Sequence, residues 1–166
     1  MVLYVQSFML HKNSSKIIFM IKISKLTDYA TVIMSHLATV EHDLMSAALI
    51  AKRSHISLAT VSKILKILAK ANLVFSQRGS GGGYRISRNP SQIHLAHIVA
   101  ALEGHLALTE CCELTTRCQI DASCGLKHNW QIINKMIYAT LANINLATMM
   151  QPMRWDHAHL QNGKEG

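Results

Sequence analysis

Between Ser24 and Val40 the apolar residues Ala30, Ile33, Leu37 and Val40 recur at helical spacing, which predicts a first helix. Thr27 is its expected N-cap. Asp28 then falls in the first turn, where the helix dipole favours negative charge. The pair His42-Asp43 breaks the pattern. Ser46 is placed to cap a short helix over AALIAKR. After the turn Ser54-His55-Ile56, Ser57 is placed to cap another over LATVSKILKILAKAN. In that helix Val61, Ile64, Leu65 and Leu68 form one apolar stripe, and Thr60, Lys63, Lys66 and Lys70 lie off it. Two short helices joined by a tight turn, the second with a basic outer face, describe a helix-turn-helix.

The pattern then changes period. LVFSQ and YRIS are short β-type runs on either side of RGSGGG, which predicts a hairpin with a flexible basic tip. A basic hairpin directly after a helix-turn-helix is the winged-helix arrangement. The second helix enters the major groove, with Lys63 and Lys66 toward phosphates or base edges, and Arg78 leads the wing. Gly81, Gly82 and Gly83 are expected to take positive φ and let the backbone pass close to DNA. RGSGGG lacks the Gly-x-x-x-x-Gly-Lys-Ser/Thr spacing of a nucleotide-phosphate loop, and no helix follows it.

After Asn89-Pro90 a further helix is predicted, with Leu95, Ile98, Val99 and Leu102 on one stripe and Gly104 as its stop. From Gly104 to Gly125 no period is visible, and the segment reads mostly as loop. A long helix is predicted from Leu126. Leu126, Trp130, Ile133 and Ile137 follow a heptad seam of the kind that pairs helices between subunits, with Ile144 seven residues on. The fold class is therefore mainly α with a small β-hairpin wing: a winged helix-turn-helix plus a long C-terminal dimerisation helix. The expected organisation is an extension over 1–19, a DNA-binding domain over 20–104, a cysteine loop over 105–125, a dimerisation helix over 126–150 and a flexible tail over 151–166. The extension either precedes a native start at Met20 or forms a loose arm.

Composition narrows the class. Of 166 residues 49% are apolar and 16% charged, which is the balance of a folded domain. The formal net charge of +8 favours an anionic partner. No run approaches a membrane span, and the first nineteen residues lack a secretory pattern, so the reducing cytoplasm is the expected compartment, with no membrane partner. Structural disulfides are disfavoured there. No paired-carboxylate, Ser-His-Asp or phosphate-loop constellation appears, so neither an enzyme nor a small-molecule substrate is expected.

All four cysteines fall in CCELTTRCQIDASC, from Cys111 to Cys124. Cys112, Cys118 and Cys124 are separated by five residues each. Structural zinc sites draw close Cys-x₂₋₄-Cys pairs from two knuckles, and no such pairs exist here. Iron–sulfur clusters also need thiolates but are larger, so their spacing is looser. Spacing favours a cluster over zinc and leaves a role for inert thiols open.

The segments KISKLTDYA, ISLATVSKILKIL, LVFSQRGSGGGYRI, IHLAHIVAALEG and C-x₅-C-x₅-C, in this order, resemble the Rrf family of winged-helix iron–sulfur regulators, which includes IscR-like and NsrR-like members. The resemblance spans about Met20 to Met150. The SKLTDYAT opening looks most like the regulators of the SUF assembly operon. The resemblance implies a homodimer on a double-stranded DNA operator, repressing cluster-assembly genes. It implies an iron–sulfur cluster, 2Fe–2S first and 4Fe–4S as the alternative, on Cys112, Cys118 and Cys124, with Cys111 an extra thiol. Structural zinc, or nitric-oxide or redox sensing on other genes, is the competing reading. Arg78 matches the wing arginine of the minor groove, and Ser57, Ala59, Thr60 and Ser62 fall where the recognition helix meets bases. Ser62 stands where IscR-like members have glutamate, so operator preference differs. IscR-like members take a fourth ligand from a histidine where this chain has Lys127, with His128 one further on. NsrR-like members take it from an aspartate supplied by the partner subunit, which matches Asp28.

Overall fold

The computed structural model describes residues 23–40, 43–79, 81–113, 118–120 and 122–153. The proposed extension, most of the tail, Ser80 at the wing tip and part of the cysteine loop lie outside them.

Helix α1 (Lys25–Ala38) is capped by Ser24, whose hydroxyl accepts from the Thr27 amide at 3.3 Å. Thr27 is therefore not the N-cap expected from the sequence. Its side chain is buried, and its hydroxyl donates to Glu103. Asp28 does lie in the first turn. Helices α2 (Ala47–Ser54) and α3 (Leu58–Lys70) are capped by Ser46 and Ser57 as expected. Between them His55 takes a left-handed conformation, φ 55°, which makes the tight turn. Strands β1 (Val74–Gln77) and β2 (Gly83–Ile86) pair antiparallel, Val74 opposite Ile86 and Gln77 opposite Gly83. After a short 3-10 turn at Pro90–Gln92 comes α4 (Leu95–Glu103), stopped by Gly104 at φ 86°.

The core lies between these elements. Ile33, Met34 and Leu37 of α1, Ile50 of α2, the full predicted stripe Val61, Ile64, Leu65 and Leu68 of α3, and Ile98 of α4 are all buried. Each such side chain contributes about 1.5–3 kcal/mol on leaving water. The recognition helix is thus held by one face while Lys63, Lys66 and Lys70 remain exposed.

The predicted C-terminal helix is shorter than expected. Helix α5 (Lys127–Asn143) stops before Ile144. The Ile144 carbonyl accepts from the Leu95 amide, the Leu146 amide donates to the Ile93 carbonyl, and Asn145 caps the four-residue α6 (Leu146–Met149). Leu146 enters the core. The chain turns because these long-range bonds and the burial of Leu146 outweigh continuation of the helix. Among the described residues no helix is long and apolar enough to cross a membrane.

The wing glycines act differently from the expectation. Positive φ falls at Gly79 (109°), and not at Gly81, Gly82 or Gly83. Gly82 donates to the Gly79 carbonyl at 3.0 Å, and a Cβ there would collide with the Gln77 carbonyl. Gly83 is buried under Met45, whose backbone exchanges two 2.9 Å bonds with Tyr84. A Cβ on Gly83 would stand 2.9 Å from the Met45 oxygen. Of these three glycines, only Gly81 has open space around it. Gly83→Ala is expected to destabilise by about 1–3 kcal/mol in urea unfolding, because backbone must shift. Gly81→Ala is expected to be near neutral, and equal effects would contradict this packing.

Candidate nucleic-acid interface and cysteine loop

The recognition helix begins at Ser57, whose hydroxyl accepts from the Thr60 amide at 3.3 Å and pairs with the Thr60 hydroxyl at 2.8 Å. Ala59, Lys63 and Lys66 are exposed, and Thr60 and Ser62 half-buried. Arg78 is exposed at the end of β1, beside the positive-φ Gly79. Ser57, Ala59, Thr60, Ser62, Lys63 and Lys66 thus sit on one helix, with Arg78 and Gly81 on the adjoining hairpin. Gly82 is committed to the turn itself. The arrangement has the chemistry of a duplex-DNA interface: cations and small hydroxyls on a helix, and a guanidinium on a projecting loop.

The cysteines follow α4. Cys111, Cys112, Cys118 and Cys124 are all free thiols and half-buried. The Thr109 hydroxyl lies 3.2 Å from the Cys111 sulfur and donates to the Cys112 sulfur at 3.4 Å. Asn134 of α5 secures the approach to the loop. Its amide oxygen accepts from the Leu108 amide at 3.0 Å, and its nitrogen donates to the Leu106 carbonyl at 3.0 Å. Gln131 reaches the Cys111 carbonyl at 3.5 Å. Among the described residues no three of His, Cys, Asp or Glu converge at metal-binding distance, so one chain does not present a closed site. The donor chemistry nevertheless fits an iron–sulfur cluster: three unoxidised, partly accessible thiols on one loop.

Asp28 is exposed and lines a cleft of about 480 Å³ together with Lys25, Thr31, Leu95, Val99 and Met149. His128 is exposed at the start of α5. The start of α1 is fixed by a residue that periodicity did not flag. Glu103 accepts from the Ser24 amide at 3.0 Å and from the Thr27 hydroxyl. It stands in the last turn of α4, where the helix dipole disfavours a carboxylate. Contact with the positive end of α1 offsets that. An acid at a helix C-terminus was the signal available in the sequence. Hydrogen bonding from Ser24, and next from Thr27, holds the Glu103 carboxyl below the ordinary glutamate range. A lowered folded-state pKa contributes stability that is present above the ordinary value, about 4.3. It is lost as pH falls through the lowered value. Glu103→Gln is expected to reduce that acid-side loss in urea titrations, and an unaltered pH profile would exclude the clamp.

A capped basic helix and a glycine-turned wing on one core define a winged-helix DNA-binding transcription regulator. The comparisons with known proteins agree. The Rrf2 family, described as an iron-dependent transcriptional regulator, matches residues 23–152, and this chain belongs to it. The members are non-enzymatic HTH-type regulators that bind DNA. The chain is 33% identical to the HTH-type transcriptional regulator IscR of Aliivibrio salmonicida over 107 residues, 61% of this chain and 60% of that one. It is 29% identical to NsrR of Bacillus subtilis over 130 residues, 77% of this chain and 87% of that one. Among solved structures it is similar to CymR, the global cysteine regulator of B. subtilis, with TM-score 0.61, 26% identity and coverage of 78% and 96%. It is also similar to T. potens IscR, with TM-score 0.59, 28% identity and coverage of 84% and 96%.

Proposed function

We propose that this protein is a homodimeric, cytoplasmic repressor of iron–sulfur assembly genes, with operator affinity set by a cluster, 2Fe–2S in the first instance. The observation that carries the reading is three free, half-buried thiols on a loop that α5 holds beside a DNA-binding domain. Cys112, Cys118 and Cys124 would hold the cluster. Asp28 of the partner subunit would close it, which accords with donors that do not converge within one chain. When bound, the cluster supplies redox- and nitric-oxide-sensitive iron–thiolate bonds. The protein's own residues do the rest. Thr109 orients two sulfurs, Asn134 ties the loop to α5, and Glu103 ties the end of α4 to α1.

Helix α5 supplies the dimer surface in this reading. None of its residues is buried, and Trp130, Ile132, Ile133 and Met136 are 38–64% exposed. A second copy covers such a face, and two-fold pairing places two recognition helices on successive major grooves. Ile133→Glu would bury an unpaired charge costing about 3 kcal/mol, weakening association roughly a hundredfold in sedimentation while the monomer stays folded. An unchanged dimer would move the interface elsewhere. The function as a whole is tested by anaerobic purification with an absorption spectrum, iron and sulfide counts, and DNA binding before and after cluster removal. A preparation holding zinc and no sulfide would overturn the sensing role.

A further inference from the structure

The outer face of the wing carries a pair that the core does not use. Phe75 and Arg85 stand directly opposite each other across the hairpin. The adjacent pair, Val74 and Ile86, is buried in the core. Strand alternation therefore projects Phe75 and Arg85 from the opposite face. The Arg85 guanidinium carbon lies 4.7 Å from the centroid of the Phe75 ring, and Phe75 is 43% exposed. Among the described residues Arg85 has no carboxylate partner, so its charge is not neutralised within them. Tyr84 and Arg85 follow Gly83 directly, and Phe75 precedes Arg78 by three residues. At about 3.4 Å per residue the pair therefore stands about 10 Å back from Arg78. A minor groove is about 7.5 Å deep. A wing tip seated in it leaves residues about 10 Å back at the level of the bordering phosphates.

We propose that Arg85 is a second DNA contact of the wing, directed at a backbone phosphate, and that Phe75 is its positioning residue. The stacked ring restricts the guanidinium to a plane and leaves its N–H groups directed outward, the geometry that suits a phosphate. Arg78 then reads the groove while Arg85 fixes how far the wing enters it. The proposal rests on reading the hairpin as a DNA-binding wing.

The test is a salt series on the full chain. It uses a random-sequence duplex and a duplex selected by the wild-type protein from a randomised pool, with urea unfolding in parallel. Arg85→Gln is expected to lower the slope of log affinity against log salt by about 0.9 on both duplexes. Phe75→Leu should weaken both, by less than Arg85→Gln, and should add no further loss in the Arg85→Gln background. Phe75→Tyr keeps the ring and should bind as wild type. A wild-type slope for Arg85→Gln overturns the proposal, including the case where only urea stability falls and the pair is a cross-strand contact alone. If Arg78→Ala still weakens binding in that case, the wing reading survives without Arg85. If both arginine variants bind unchanged, both readings fall.

Discussion

Replacing any one of Cys112, Cys118 and Cys124 with alanine is expected to abolish the visible cluster absorbance of the anaerobically purified protein. The three share one loop, and a cluster deprived of one of three thiolates retains no full set of strong donors. Cys111→Ala is expected to leave most of the absorbance, since Cys111 lies outside the five-residue spacing. The fourth position behaves differently. Asp28→Ala should leave the cluster assembled and more labile, because a carboxylate is the weaker donor, while His128→Ala should change little. Retained absorbance after Cys118→Ala would remove the assignment. The reverse order of the two fourth-position variants would place that ligand at the start of α5. The folded state is a separate matter: these thiols are half-buried on a loop outside the helical core, so urea stability without cluster should be nearly that of the unmodified chain.

Arg78→Ala is expected to cost about 1–3 kcal/mol on the selected duplex and less on random DNA. The exposed guanidinium stands at the end of β1, beside a turn whose geometry Gly79 and Gly82 set. A narrow minor groove concentrates negative potential for such a group. Lys63→Ala and Lys66→Ala should weaken both duplexes alike and reduce the salt slope by roughly one unit for each phosphate no longer neutralised. Substitutions at Ser62 should alter base preference and leave the slope nearly unchanged. Thr60 carries a second role, because its hydroxyl is paired with the capping Ser57. Thr60→Val therefore probes both the cap and the base contact. Equal affinity of Arg78→Ala and wild type on both duplexes would deprive the hairpin of its DNA-reading role.

The elements most legible in the sequence are those specified by neighbours a few residues apart. The stripe Val61, Ile64, Leu65 and Leu68 becomes the buried face of α3, and Ser46 and Ser57 cap their helices. Helical period and capping depend on backbone groups within one turn, so local sequence carries them. The hairpin is legible for the same reason, since two β-type runs around glycines leave the chain little else to do. The three-cysteine spacing is likewise visible without coordinates, as is the basic outer face of the recognition helix.

The tertiary structure alone decided what depends on residues far apart in the chain. Thr27 reads as a cap in the sequence and is instead a buried partner of Glu103, seventy-six residues away. Gly83 reads as a wing glycine, and its missing Cβ instead admits the Met45 backbone. The long C-terminal helix breaks at Ile144 because Leu95 and Ile93 supply backbone partners there and the core admits Leu146. Asn134, a polar residue within an apolar seam, finds its role only when the Leu106–Leu108 backbone lies against it. In each case the deciding term is a hydrogen bond or a steric contact formed across the core. No periodicity encodes such a contact, because the partner's position exists only once the helices have packed.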